Sequence, residues 1–241
     1  MCDMPVRRTR IRNPNPEQRH ASPGRAPQST SQVANRGAVY GRRARGGTRH
    51  QDSFMPTEDW HEPKGAAGYR IVQQQPGEGF RHAITVDEIR ERLSLLPAEF
   101  TDPLEVVQLS LMTRKKKTFP CYGMQWGPTL YLYPIDEELV EYFYRPPRPA
   151  ELVEATMYGA VWSQESSGVW TLEWSEASIK DFYLNNILIH ELGHLLDDRN
   201  TSYVDRERYA EWFAIEYGYK PSREVLAAKG VQRILRRHHK R

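Results

Sequence analysis

Cysteine, long apolar runs and hydrophobic residues in general are scarce in this sequence of 241 residues. Cys2 and Cys121 are the only cysteines, which excludes the disulfide framework of small secreted domains and is typical of a reducing compartment. No apolar stretch of the signal-peptide type follows the N-terminal charges, and no run is long enough to span a bilayer. We therefore expect a cytoplasmic protein without a membrane partner.

Apolar residues are scarcest at the beginning of the chain. Residues 1–66 have almost no periodic apolar positions and are rich in Arg, Pro, Gly, Ser, Gln and Asn. Such a segment cannot bury enough surface to offset the entropy lost on ordering. We predict a disordered basic N-terminal tail over residues 1–66, a folded domain over 67–228 and a basic C-terminal tail over 229–241.

The formal net charge of +3 conceals a strong segregation of charge along the chain. Residues 1–50 have eleven arginines and two acids, and residues 229–241 have six lysines or arginines and no acid. Residues 51–228 are therefore acidic, with a net charge of −12. The basic tails allow weak contact with nucleic acid through its phosphates, although tails of this composition are more often simply solvated.

Apolar spacing and turn residues predict the scaffold of the domain. Thr85 and Glu88 form a capping box in front of a helix that ends before Pro97. Residues 104–112 fit a strand or a short helix, and the Asp-Pro pair before them favours the helix. Strands are predicted at residues 129–135, 157–162 and 169–174, the last two joined as a hairpin by a turn at 165–168.

Residues 186–196 contain the pattern His-Glu-x-x-His within an apolar run typical of a helix. Four residues apart on a helix, His190 and His194 project from one face and can converge on a single tetrahedral zinc ion. Glu191 beside them can take a proton from water that the metal has made more acidic. We predict that this helix covers residues 179–196, capped by Ser178 and Asp181, and that a second helix covers 204–217 and ends at Gly218.

A catalytic zinc ion requires a third protein ligand besides the two histidines. Asp197 and Asn200 stand where the metzincin pattern has Gly and His, which excludes that family. Glu207 and Glu211 share one face of the next predicted helix with two alanines, whose small side chains allow a close approach to the motif helix. The alternative interpretation of these glutamates is an exposed helix face paired with neighbouring arginines.

His190-Glu191-Leu192-Gly193-His194, followed by Glu207-x-x-Ala210-Glu211-x-Phe213-Ala214, resembles the gluzincin metallopeptidases. The resemblance covers residues 186–218, and the short gap and compact size are similar to one-domain members of the ImmA/IrrE type. It implies that Glu207 is the third zinc ligand. Glu211 occupies the position of an Asp that supports a motif histidine in the family, and because Glu replaces Asp here, Glu211 remains the alternative third ligand.

The resemblance implies a small α+β zincin-like domain with a mostly antiparallel sheet, the motif helix and a following Glu helix. The expected function is a zinc-dependent endopeptidase that hydrolyses proteins or peptides, with Glu191 as general base. We expect residues 169–174 to be an edge strand that pairs with extended substrate, and Trp162, Trp170 and Trp174 to suit apolar subsites. The alternative is a catalytically degenerate zincin that acts as a regulatory or nucleic-acid-associated binding module.

Overall fold

The computed structural model describes residues 58, 60–65, 68–113, 116, 121–166 and 168–228, all of which lie in one compact unit. The tail predicted at 229–241, and nearly all of that predicted at 1–66, lie outside the described residues. Helices and small sheets are mixed along the chain, which confirms the α+β class. None of the described helices is long and apolar enough to cross a membrane.

The described strands form three small sheets. The strands are β1 (Arg70–Gln73), β2 (Phe80–Arg81), β3 (Val106–Leu109), β4 (Gly123–Trp126), β5 (Thr129–Leu132), β6 (Ile135–Asp136), β7 (Val140–Phe143), β8 (Val161–Ser166) and β9 (Val169–Glu173). The largest sheet has the order β1-β3-β5-β4, with parallel pairing between β1, β3 and β5 and antiparallel pairing between β5 and β4. The other two sheets, β2-β6 and β7-β9-β8, are antiparallel.

The described helices include two long elements that are each continued through a π-helical turn. One runs over residues 176–196 and is called the motif helix; the other runs over residues 203–228 and is called the Glu helix. Their π turns are Tyr183–Ile187 and Ile215–Tyr219. The α-helical segments are α1 (Val86–Ser94), α2 (Ala98–Thr101), α3 (Pro149–Met157), α4 (Glu176–Phe182), α5 (Leu188–Leu196) and α6 (Tyr203–Ala214).

The expectation of a mostly antiparallel sheet is right for the two smaller sheets and wrong for the largest. A parallel pair requires a crossover connection, and the segment containing α1 and α2 provides it between β1 and β3. The preference for a helix at residues 104–112 is also wrong, because Val106–Leu109 is a strand. All four of its side chains are buried, and the strand pairs with β1 on one side and with β5 on the other. These non-local contacts outweigh the preference for a helix that the preceding Asp-Pro pair suggested.

Two sequence predictions of local structure are confirmed. The Glu88 backbone N–H donates to Thr85 Oγ1 at 3.3 Å and the Thr85 N–H donates to Glu88 Oε2 at 2.8 Å, which is the predicted capping box of α1. β8 and β9 form the predicted hairpin. The strand predicted at residues 157–162 is wrong in its first half, because α3 continues to Met157 and β8 begins only at Val161.

The motif helix begins earlier than predicted. Ser175, not Ser178 with Asp181, is its N-cap: Ser175 Oγ accepts from the Ser178 N–H at 3.1 Å, and the Ser175 N–H donates to Ser178 Oγ at 2.8 Å. Asp181 lies one turn further on, where it pairs with Arg223 of the Glu helix and accepts from Asn185 Nδ2 at 2.8 Å. The pair with Arg223 joins the two long helices, and the Asn185 bond holds the Asp181 side chain within its own helix.

The Glu helix does not end at Gly218, contrary to the sequence prediction, but passes through it as part of a π turn. A Cβ at Gly218 would overlap the carbonyl oxygen of Asn185 in the π turn of the motif helix. Gly218 is therefore required for the close approach of two helix backbones, and not for a left-handed stop. The two π turns pack against each other at this point.

We predict that Gly218→Ala lowers the free energy of unfolding by about 1–3 kcal/mol, because the methyl group cannot be accommodated without moving backbone. Urea unfolding monitored by circular dichroism measures it. Glu224→Ala is the control, since Glu224 is exposed on the same helix and its loss should change stability by no more than about 0.5 kcal/mol. Equal midpoints for the two variants would contradict the close-approach interpretation.

Candidate metal centre

His190 and His194 lie on α5, one turn apart on the face of the motif helix turned towards the Glu helix. Their side chains are only 10% and 12% exposed, and the ring centroids are 4.7 Å apart in an edge-to-face arrangement. Both Nε2 atoms face Glu207 of α6, at 3.6 Å from Oε2 for His190 and 3.4 Å from Oε1 for His194. Helical periodicity aligns the two histidines, and packing of the Glu helix brings Glu207 to them.

The spacing of these atoms is compatible with one bound zinc ion. Ligand atoms held about 2.0–2.2 Å from a tetrahedral ion lie about 3.3–3.6 Å from one another. The two histidine-to-glutamate distances are of this size, and they end on the two different oxygens of the Glu207 carboxylate, 3.6 Å at Oε2 and 3.4 Å at Oε1. One ligand atom from each of the three residues lies within 4.8 Å of the others, and no other such group of three occurs in the described residues.

Glu211, the alternative third ligand, is not part of this group. Its side chain is exposed. Its charge adds to the effect of burial, which raises the pKa of Glu154, a glutamate of α3. Glu207 and Glu211 are four residues apart on one helix face, but only Glu207 is level with the histidines. The geometry therefore favours Glu207 over Glu211.

Close contact between the two long helices lets Glu207 reach the histidines. A Cβ at Gly193 would lie 3.0 Å from Ala210 Cα and 3.1 Å from Phe213 Cβ. Ala210 and Phe213 are fully buried in this contact. Arg206 also donates from its guanidinium to the carbonyl oxygen of His194 at 3.2 Å, which satisfies one of the last carbonyls of α5.

Glu191 is buried, at 2% exposure, and its Oε2 has no hydrogen-bond partner in the described part of the chain. Burial raises the pKa of this carboxyl to about 7. The start of β4 closes over it, since a Cβ at Gly123 would lie 2.7 Å from Glu191 Oε1 and 2.8 Å from an Ile187 methyl carbon. A buried carboxyl with an open acceptor beside possible metal ligands is the arrangement a general base requires.

Electrostatic surroundings set different protonation states for the ligand residues. Burial, with the neighbouring His190, lowers the pKa of His194 to about 4, so this ring is neutral at pH 7. Burial acts against the charge of His190 too, but the carboxylates of Glu207, Glu191 and Glu154 outweigh it and raise its pKa. Burial opposes the ionisation of Glu207, yet its contacts with the two histidines lower its pKa. A metal ion would therefore compete with a proton at His190.

Glu154 was missed by sequence reasoning. It lies on α3, where its Oε1 accepts from Asn186 Nδ2 at 2.6 Å, one turn before His190 on the motif helix. Burial raises the pKa of Glu154, and its charge favours the cationic form of His190. No signal in the sequence pointed to it, because residues 149–157 were not recognised as a helix and its partners lie more than 30 residues away.

The structure corrects the predicted substrate strand. β9 (Val169–Glu173) lies between β7 and β8 and is not an edge strand. The strand next to Glu191 is β4, which is at the edge of the largest sheet and packs against the motif helix. Trp162 and Trp174 instead line a small, partly open pocket between α3, α4 and the β7-β9-β8 sheet.

Comparison with known proteins finds no matching family model, no matching curated protein and no matching solved structure. The resemblance to gluzincins thus depends on residues 186–218 of the sequence and on no relative.

We predict that Glu207→Gln weakens zinc binding by more than about 100-fold. Replacing a residue that only hydrogen-bonds to a metal ligand already lowers metal affinity by about 10–100-fold, and Glu207 is proposed as a ligand itself. Glu211→Gln, on the same face of the same helix, should leave the affinity close to that of the wild type. Competition titration with a zinc-sensitive chelator measures both. A larger loss for Glu211→Gln than for Glu207→Gln would exchange their roles.

Proposed function

We propose that this protein is a zinc-dependent endopeptidase in which His190, His194 and Glu207 hold the metal and Glu191 is the general base. The observation that carries the proposal is the convergence of both histidine Nε2 atoms on Glu207, at distances suited to zinc, beside a buried and unpartnered Glu191 carboxylate oxygen. The gluzincin resemblance of the same residues supports it. Glu191 is the residue of the motif that acts on water and does not bind the metal. Its presence favours an enzyme over a binding module that has only a metal site.

The chemistry is divided between the metal and the chain. Zinc, when bound, would polarise a peptide carbonyl and lower the pKa of water. Glu191, whose Oε2 has no hydrogen-bond partner among the described residues, would accept the proton of the attacking water and pass it to the leaving amine. Burial raises the pKa of this carboxyl to about 7 in the metal-free protein, and a zinc ion beside it would favour the ionised form that accepts the proton.

β4 supports an extended peptide as the substrate. Its first residue, Gly123, lies against Glu191, and among the described strands β4 stands at the edge of its sheet, next to β5. A peptide that adds to the other side by backbone hydrogen bonds would pass Glu191. This strand replaces β9 in the role expected from the sequence.

We predict that Glu191→Gln keeps its zinc but loses roughly two to four orders of magnitude in peptide hydrolysis, since only the proton acceptor is removed. The measurement is the number of new N-termini produced when purified protein is added to a denatured cell extract, with zinc content determined on the same samples. His194→Ala is the control and should lose zinc and activity together. Identical cleavage by wild type and Glu191→Gln, with zinc bound in both, would rule out the proposal.

We also predict that Gly123→Ala lowers hydrolysis while zinc remains bound, because a Cβ there would displace the Glu191 carboxylate. A double-mutant cycle tests this route: in the Glu191→Gln background, Gly123→Ala should cause little further loss. Additive losses in rate would show that Gly123 does not act through Glu191.

A further inference from the structure

Two tryptophans stand half-exposed at the far end of β4. Trp126 is the last residue of the strand and is 43% exposed, and Trp60 is 45% exposed. Their ring centroids are 4.6 Å apart and their planes are tilted by 55°. Two large aromatic side chains in contact, each with nearly half of its surface in water, form an apolar surface suited to another apolar group.

The position of Trp60 is fixed by the segment that carries it. His61 Nε2 lies 2.6 Å from Gln108 Oε1, and the His61 ring stacks on Tyr131 with centroids 6.2 Å apart. The N–H groups of Lys64 and Gly65 both donate to the Glu105 carboxylate at 2.7 Å. Residues 60–65 are thereby fastened across the sheet.

Gly127 completes the placement of Trp60. It has a φ of +58°, a backbone conformation that favours glycine, and a Cβ there would lie 3.1 Å from the Trp60 ring. The ring therefore rests against the turn that ends β4, next to Trp126.

The tryptophan pair has a defined relation to the proposed active site. Gly123 faces the motif helix, and side chains alternate along a strand, so Met124 and Trp126 lie on the opposite face of the sheet. Trp126 is three residues from Gly123, which corresponds to about 10 Å along the strand. A peptide strand added beside β4 has the same spacing, so a side chain three or four residues from the bond beside Glu191 would reach the pair.

We propose that Trp60 and Trp126 form a substrate subsite that selects a large apolar or aromatic side chain three or four residues from the cleaved bond. This inference rests on the proposed peptidase function. It names the class of substrate as extended peptides with such a residue at that spacing. The two tryptophans contact the peptide away from the cleaved bond, so they determine which peptides bind and take no part in the chemistry.

The test uses the full chain and a peptide library made by tryptic digestion of a denatured proteome. Wild-type cleavage sites should be enriched in Phe, Tyr, Trp, Leu or Met three or four residues from the bond on one side, and that side reports the direction of the bound peptide. Trp126→Ala should abolish this enrichment with zinc content unchanged, whereas Trp126→Phe should retain most of it. Trp212→Ala is the matched control, because Trp212 is also exposed, at 48%, but lies on α6.

A binding measurement separates selection from turnover. In the Glu191→Gln background, a peptide cleaved efficiently by the wild type should bind about tenfold more weakly when Trp126 is replaced by Ala, and its affinity should be unaffected by Trp212→Ala. Enrichment that survives Trp126→Ala, or that is lost equally in Trp212→Ala, would overturn the subsite. If Trp126→Ala instead abolished self-association of the chain and left peptide selection intact, the pair would be a contact between copies, and the subsite would again be wrong.

The failure of the two proposals can be told apart. Absence of cleavage by zinc-loaded wild type would remove the peptidase function and the subsite with it. Cleavage without enrichment at that spacing would leave the peptidase function intact and remove the subsite alone.

Discussion

Backbone contact between the motif helix and the Glu helix is the constraint on which the site depends. Helices usually pack with side chains between them, at interaxial distances of about 8–10 Å. Here glycine replaces a side chain at two contacts, Gly193 against Ala210 and Phe213, and Gly218 against the Asn185 carbonyl. The first contact lies beside His190 and His194, so Glu207 needs only its own short side chain to reach both rings. The π turns lie at the second contact, where each helix departs from regular geometry.

The same closeness creates an electrostatic cost that a cation would offset. Glu191, Glu207 and Glu154 all act on His190, and each of these carboxyl groups is at least partly buried. Burying several carboxylates around two imidazoles is unfavourable unless opposite charge compensates it. Without a metal, a proton on His190 supplies part of that charge, as the raised pKa of this ring indicates. A divalent ion would supply more, and its binding would stabilise the folded state in which the ligands meet.

The features that could be predicted from the sequence are those that depend on residues close together in the chain. The capping box of α1 depends on residues three positions apart, and the spacing of His190 and His194 depends on one helical turn. Helical spacing alone could not separate Glu207 from Glu211, because both lie on one helix face; the sequence favoured Glu207 only through the gluzincin resemblance, and the position of the other helix distinguishes them. The same limit explains β3, which is a strand because β1 and β5 flank it, and Gly218, whose close partner is 33 positions away. The edge strand was misassigned for a related reason, since the order of strands in a sheet is a non-local property.

Glu154 and the Trp60–Trp126 pair could not be recognised from a sequence pattern, because each depends on a contact between residues that are distant in the chain. Glu154 matters because α3 places it next to Asn186 of the motif helix. Trp60 lies in a segment that composition assigned to the disordered tail, yet hydrogen bonds from residues 61, 64 and 65 to β3 and the residue before it hold that segment on the sheet. In both cases the position of the residue is set by a neighbour that is distant in sequence.

X-ray absorption spectroscopy of the zinc-loaded protein reports the atoms around the metal independently of any substrate, so it can decide whether His190, His194 and Glu207 bind zinc. We expect one zinc ion per chain with only nitrogen and oxygen neighbours at about 2.0–2.2 Å, including the scattering pattern of two imidazoles. A sulfur neighbour at about 2.3 Å would contradict this assignment and would point instead to Cys121, which lies near Glu191. Failure of the protein to retain stoichiometric zinc would contradict it equally.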